Sequence, residues 1–115
     1  MYKMKFSFYD RLNESRRISL KYPDRIPIVC ERSPTSDCPI VEKKKYLVPY
    51  DFTIGQFLSV LRKRMKLPPE KAIFLFINNT IYHSSYLLST IYEMNKDEDG
   101  FLYITYASEN TFGSM

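Results

Sequence analysis

The sequence predicts an α+β fold: a sheet of short strands with one face packed on a single long helix, and extra helices ahead of the first strand. Three observations predict it. Apolar runs of strand length recur at residues 26–31, 46–48, 72–77 and 101–107. A single segment, 53–66, combines long-helix spacing of apolar residues with clear start and stop signals. Residues 2–21 lack strand alternation and read as helical.

Taken in order, the N-terminal stretch has a weak apolar pattern. Phe8, Leu12, Arg16 and Ser19 share one helical face and Glu14, Ile18 and Lys21 another, so any packing stripe is narrow. Tyr22-Pro23 ends it, because the residue before a proline avoids the α region. Residues 26–31 form a strand with Ile26, Ile28 and Cys30 on one face. Residues 33–39, rich in Ser, Pro, Thr and Asp, form a loop. The strand at 43–50 is most simply the hairpin partner of the first. Lys43, Lys44 and Lys45 at its start and Pro49 near its end mark an exposed edge, since lysines discourage stray pairing and proline lacks the ladder N–H.

Thr53 with Gln56 three residues on is a capping box. Ile54, Phe57, Leu58, Leu61 and Met65 recur at helical spacing behind it. Arg62, Lys63 and Arg64 suit the negative end of the helix dipole, and Pro68-Pro69 stops the helix. The continuous apolar run 72–77 reads as a strand buried on both faces. Asn78-Asn79 is a turn, residues 80–82 add a short strand, and Ser84 or Ser85 caps a short helix carrying Leu87, Leu88, Ile91 and Tyr92. Residues 95–100 make an acidic turn in which Gly100 takes a positive φ. The last strand, 101–107, is apolar or aromatic on both faces, and the N-terminal helices are the candidate cover for the second face. The order, ββαβ-(α)-β after the leading helices, is that of the ubiquitin-like β-grasp. One domain is expected: residues 1–25 a helical extension packed on the core, 26–107 the β-grasp core, and 108–115 a flexible tail.

Composition narrows the function. A chain of 115 residues with 44% hydrophobic content has enough apolar side chain for a core. No apolar run approaches the ~20 residues that span a bilayer, and the start has no signal-peptide h-region. Cys30 and Cys38 therefore read as reduced thiols in a cytoplasmic protein. The net charge of +4 resides in residues 1–25, where Lys3, Lys5, Arg11, Arg16, Arg17, Lys21 and Arg25 face Asp10, Glu14 and Asp24. Such an arm suits an acidic partner or is simply a solvated helical face. The single histidine, His83, lies in a loop while Cys30 lies mid-strand, which argues against a catalytic dyad. No metal-ligand spacing or phosphate loop is present, and Asp97-Glu98-Asp99 reads as a solvated turn. The basic residues do not alternate with aromatics as single-strand binders require, so no nucleic acid is expected. Neither a catalytic residue nor a bound cofactor or metal is expected.

Gly113 stands third from the end, where a glycine has no structural task. Its functional reading is a site that another enzyme grips in a narrow cleft, and its bland reading is a frayed terminus. Five segments then fall in order at matching spacing: Lys21-Tyr22-Pro23-Asp24-Arg25-Ile26-Pro27, Lys43-Lys44-Lys45-Tyr46-Leu47-Val48-Pro49, Thr53-Ile54-Gly55-Gln56-Phe57, Asp97-Glu98-Asp99-Gly100-Phe101-Leu102-Tyr103 and Glu109-Asn110-Thr111-Phe112-Gly113. Together they closely resemble the autophagy ubiquitin-like modifiers, the family of the GABA-receptor-associated protein and the microtubule-associated light chain.

That resemblance implies a substrate of an enzyme cascade and not an enzyme. A C-terminal cysteine protease would cut after Gly113, before Ser114. Activating and conjugating enzymes would carry Gly113 as a thioester and join it to phosphatidylethanolamine. The chain would be cytoplasmic, and on autophagosome or related vesicle membranes when lipidated. The resemblance also implies recruitment of cargo receptors and adaptors: peptides of pattern aromatic-x-x-aliphatic, bound by strand addition. The implied aromatic pocket is Glu14, Ile18, Pro27, Lys45, Leu47 and Phe101. The implied aliphatic pocket is Tyr46, Val48, Pro49, Phe52, Phe57, Val60 and Leu61, with plain core as the other reading of Phe57, Val60 and Leu61. Arg25, Lys43 and Arg64 would form a basic rim with Lys45. The run Phe74-Leu75-Phe76-Ile77 resembles a second docking segment of some members, though buried strand is its first reading. The alternatives are a β-grasp adaptor that is never conjugated, or a member with a non-autophagic organelle-membrane role.

Overall fold

A computed structural model describes residues 1–108. The N-terminal segment forms two helices, α1 (Tyr2–Lys5) and α2 (Phe8–Lys21). Phe6 swings into an extended conformation, and the Ser7 hydroxyl accepts the Asp10 N–H to cap a fresh start. The buried positions of α2, Arg11 and Ser15, lie on neither expected face, while Glu14 and Ile18 of the second expected face are half-buried beside them. Hydrophobic periodicity misses this face because its anchors are polar.

Five strands follow: β1 (Arg25–Arg32), β2 (Lys45–Pro49), β3 (Ile73–Ile77), β4 (Thr80–Ile81) and β5 (Leu102–Ser108). Helix α3 (Ile54–Met65) follows β2, and α4 (Leu88–Asn95) precedes β5. The sheet order is β2-β1-β5-β3-β4. The first and last strands run parallel at the centre, and the other neighbours pair antiparallel. Pro27 is tolerated in the inner strand β1 because pairing with β5 begins one residue later, at Ile28↔Leu102.

The main core lies between one sheet face and α3. Ile26, Ile28, Leu102, Ile104, Leu75 and Ile77 meet Phe57 and Leu61, and Leu88 and Ile91 of α4 join them. α3 starts with the expected capping box, in which Thr53 accepts the Gln56 N–H and Gln56 accepts the Thr53 N–H. A smaller cluster on the opposite face joins Tyr2, Val29 and Phe101, with Ile18 and Tyr103 against it. The N-terminal helices thus cover the second face, as predicted.

Four expectations change. β3 is not buried on both faces: Ile73, Leu75 and Ile77 are buried, while Phe74 and Phe76 are half-buried; the alternation puts the two phenylalanines on the face away from α3. β5 continues through Ser108, whose N–H donates to the Ser36 hydroxyl at 3.0 Å, so the strand outruns the expected core boundary at 107. The short helix is capped by Leu87, with no side-chain hydrogen bond, and not by Ser84 or Ser85. The backbone carbonyls of Ser84 and Tyr86 instead take the N–H groups of Gly55 and Ile54, which holds that segment across the start of α3. Finally, Asp99 is fully buried, so the acidic turn is not simply solvated.

Candidate docking edge

β2 pairs with β1 alone among the described residues, so its other side is an open edge. The register sets which groups that edge presents. Cys30 N–H donates to the Lys44 carbonyl at 2.8 Å and Tyr50 N–H to the Asp24 carbonyl at 3.3 Å. Hydrogen-bonded pairs alternate along an antiparallel ladder. Tyr46 and Val48 therefore spend their backbone groups on β1, and those of Lys45 and Leu47 point outward. Pro49 also faces outward, where its missing N–H costs nothing. One outward acceptor is partly engaged: the Arg25 guanidinium donates to the Leu47 carbonyl at 3.4 Å.

Side chains alternate across the same strand. Lys45, Leu47 and Pro49 lie on the α2 face opposite Val29, Pro27 and Arg25, and Tyr46 and Val48 lie on the α3 face opposite Ile28 and Ile26. On the α2 face, Glu14, Ile18, Lys43, Lys45, Tyr46, Leu47 and Phe101 line a cleft of about 360 Å³. Five of the six residues predicted for the aromatic pocket meet there. Pro27 does not line it; it is buried in β1 as the cross-strand neighbour of Leu47. Glu14 pairs with Lys45 across the cleft.

The residues of the predicted aliphatic pocket divide between the faces: Pro49 alternates onto the α2 face, and the others lie toward α3 at different depths. Phe57 and Leu61 have no exposed surface. They are core, and the Phe57 ring packs edge-on against Tyr46 at 5.3 Å. Tyr46 and Val48 are nearly buried, whereas Pro49, Phe52 and Val60 are half-buried and present surface. The basic rim gathers on Tyr46: Lys43 Nζ lies 5.3 Å and the Arg64 guanidinium 5.7 Å from its ring centroid. Burial pushes the Tyr46 hydroxyl up from 10.0 to about 12, with a small opposing pull from Arg64. Lys44 is held back from the edge by Glu31 at 3.3 Å.

Behind the cleft stands a group that the sequence reading missed. Asp99 accepts from the Arg11 guanidinium and the Tyr103 hydroxyl through one oxygen, each at 2.5 Å, and from the Phe101 N–H at 2.9 Å through the other. The Ser15 hydroxyl donates to the Asp99 carbonyl. Gly100 has φ +92°, and a Cβ there would collide with Ser15. The available signal was Arg11, Ser15 and Ile18 at helical spacing, invisible to a hydrophobicity count. Burial and the Asp99 carboxylate push the Tyr103 hydroxyl well above its ordinary range.

Among the described residues, no catalytic arrangement forms around the thiols. Cys30 is buried mid-strand, and burial pushes its thiol far up. His83 is exposed and engages Ser85 at 2.8 Å. Cys38 is also buried and free, accepting from the Ser36 hydroxyl at 3.0 Å. Its loop is tied to β5: the Tyr106 hydroxyl accepts the Val41 N–H at 2.8 Å and Ser36 accepts the Ser108 N–H. A smaller cavity of about 220 Å³ opens beside Cys38, Leu67, Lys71 and Ser108. The predicted processing site, Gly113 and Ser114, lies outside the described residues. No described helix is long and apolar enough to cross a membrane.

A family model described as "Autophagy protein Atg8 ubiquitin like" matches residues 10–113. The chain is 59% identical to "Autophagy-related protein 8" of Schizosaccharomyces pombe over 114 residues, 99% of this chain and 94% of that one. It is 60% identical to "Autophagy-related protein 8a" of Arabidopsis thaliana over 105 residues, 91% of this chain and 86% of that one. Its fold matches the crystal structure of Trypanosoma brucei ATG8 with a TM-score of 0.90 at 45% identity, covering 94% of this chain and 93% of that one.

Proposed function

We infer, from the premise that the chain belongs to the Atg8 family of ubiquitin-like autophagy proteins, that it works as a membrane-conjugated docking platform and not as an enzyme. In this reading a cysteine protease removes Ser114 and Met115, and the exposed Gly113 carboxylate passes through thioesters on activating and conjugating enzymes. It ends in an amide with phosphatidylethanolamine. Two acyl chains then give the stable membrane anchoring that the described helices do not supply.

The single observation that carries the docking half is the geometry of β2. A peptide added to the edge would pair with the outward backbone groups of Lys45 and Leu47 and displace Arg25 from the Leu47 carbonyl. In an extended strand, residues i and i+3 point to opposite faces. An aromatic-x-x-aliphatic peptide therefore sends its aromatic ring to the α2-face cleft and its aliphatic side chain to the Phe52 and Val60 surface on the α3 side. Acidic neighbours of the motif would meet Lys43, Lys45 and Arg64. Lys45 must then exchange Glu14 for a peptide carboxylate, which makes this step sensitive to salt.

Two measurements test the two halves. In cells, Gly113→Ala abolishes the lipidated, faster-migrating form; a lipidated form that persists in the variant overturns the conjugation reading. Mass spectrometry of the endogenous C-terminus separates a modifier, which loses Ser114-Met115, from an adaptor that is never processed. In vitro, Leu47→Ala or Lys45→Ala weakens an aromatic-x-x-aliphatic peptide by more than ~1 kcal/mol. Absence of binding by any such peptide to the wild-type chain sinks the docking reading.

A further inference from the structure

The residues that wall the aromatic cleft are held from behind by the first helix. Tyr2, in α1, is 4% exposed and is not among the residues that line the cleft. Its ring packs edge-on against Phe101, with centroids 5.8 Å apart. Its hydroxyl reaches the Glu14 carboxylate at 3.5 Å, and Lys45 Nζ lies 6.0 Å from its ring centroid. Phe101, Glu14 and Lys45 are all cleft residues. Tyr2 itself is tied down. Its N–H donates to Glu31 at 3.0 Å, and the neighbouring Lys3 pairs with Asp97 at 2.5 Å. Phe6 closes its remaining side at 4.9 Å between centroids.

We propose that Tyr2 sets the depth of the aromatic cleft, and thereby selects which aromatic side chain the cleft accepts. Phe101 is 1% exposed and has Tyr2 directly behind it, so it cannot retreat when a larger ring enters. A close-packed wall that cannot yield discriminates by size. Removing the Tyr2 ring leaves a space that the surroundings fill only partly. Phe101 gains room to move back, the cleft deepens, and an indole is favoured over a phenyl ring. Tyr2 acts through Phe101 and Glu14 and is a positioning residue. This inference rests on the peptide-docking reading.

The test measures the affinity of the full chain for two fluorescent peptides, identical and acid-flanked except that one carries Trp and the other Phe at the aromatic position. Partial unfolding lowers both apparent affinities by the same fraction. The ratio of the two is therefore blind to a merely structural defect. In Tyr2→Ala the ratio shifts toward the Trp peptide by on the order of tenfold. Tyr2→Phe, which keeps the ring and loses only the Glu14 contact, retains the wild-type ratio. Tyr2→Leu, which keeps an apolar side chain should the alanine variant not fold, shifts the ratio in the same direction. An unchanged ratio in both Tyr2→Ala and Tyr2→Leu, with peptide binding intact, overturns the role of Tyr2 and leaves the docking reading standing. Failure of the wild-type chain to bind either peptide overturns both.

Discussion

Asp99 has no solvent exposure, and its two carboxylate oxygens take three donors, from α2, from β5 and from the turn that leads into β5. Breaking a buried pair strands the other charge, at a cost of about 3–5 kcal/mol. Asp99→Ala therefore loses stability of that order in urea denaturation, while the neighbouring, exposed Glu98→Ala stays within ~0.5 kcal/mol. A similar loss in both variants would mean that the whole turn matters and not the buried carboxylate. Sequence reading placed both residues in one solvated acidic turn, because burial of a charge depends on a partner 88 positions away. Phe57 was legible at helical spacing, but that spacing fits a pocket wall as well as a core residue, and its complete burial came only with the packing of α3 on the sheet.

At the scale of elements, α3 was the most legible. Its capping box, apolar stripe and basic last turn are all local signals, and its bounds follow them closely. Thr53→Ala is expected to cost about 1 kcal/mol in urea denaturation. Thr53 does not line the aromatic cleft, so peptide affinity stays unchanged; a parallel loss of affinity would show that the start of α3 shapes the docking edge. β2 was legible as an edge strand from its lysines and proline. Its two-faced chemistry needed the register, since a one-residue slip would exchange Leu47 for Tyr46 on the α2 face. β3 was misjudged for a related reason: an unbroken apolar run does not say whether anything covers its second face.

For the whole molecule, protonation states support the fold at both ends of the pH scale, through Asp97 with Lys3 in acid and through Tyr2 of α1 and Tyr46 of β2 in alkali. Burial raises Asp97, but the Lys3 ammonium and the Asp99 N–H outweigh it and hold the carboxyl below its ordinary 3.8. A depressed carboxylate stabilises the fold above 3.8, and that contribution disappears as pH falls through the lower folded value. Lys3→Gln should flatten the acid limb of the melting temperature. In alkali the sign reverses. Burial and, for Tyr2, the nearby Glu14 raise the Tyr2 and Tyr46 hydroxyls from 10.0 to about 12. Their protonated forms favour the folded state, so their contribution is complete below pH 10.0 and is lost as pH rises toward about 12. Tyr46→Phe should reduce the slope of stability against pH in that window, measured by thermal melts; an unaltered slope would remove Tyr46 from this account.

The sequence by itself determined the strand and helix order, an exposed edge strand within residues 43–50, and a family resemblance that implies conjugation at Gly113. Those are local or linear signals: caps, periodicity, prolines, charge runs and short motifs. Only the tertiary structure decided that α2 docks through Arg11 and Ser15, that Asp99 is buried, that Tyr2 stands behind Phe101, and that Phe57 and Leu61 are core. Each depends on which distant segment supplies the opposite surface, and that is set by packing the whole chain at once.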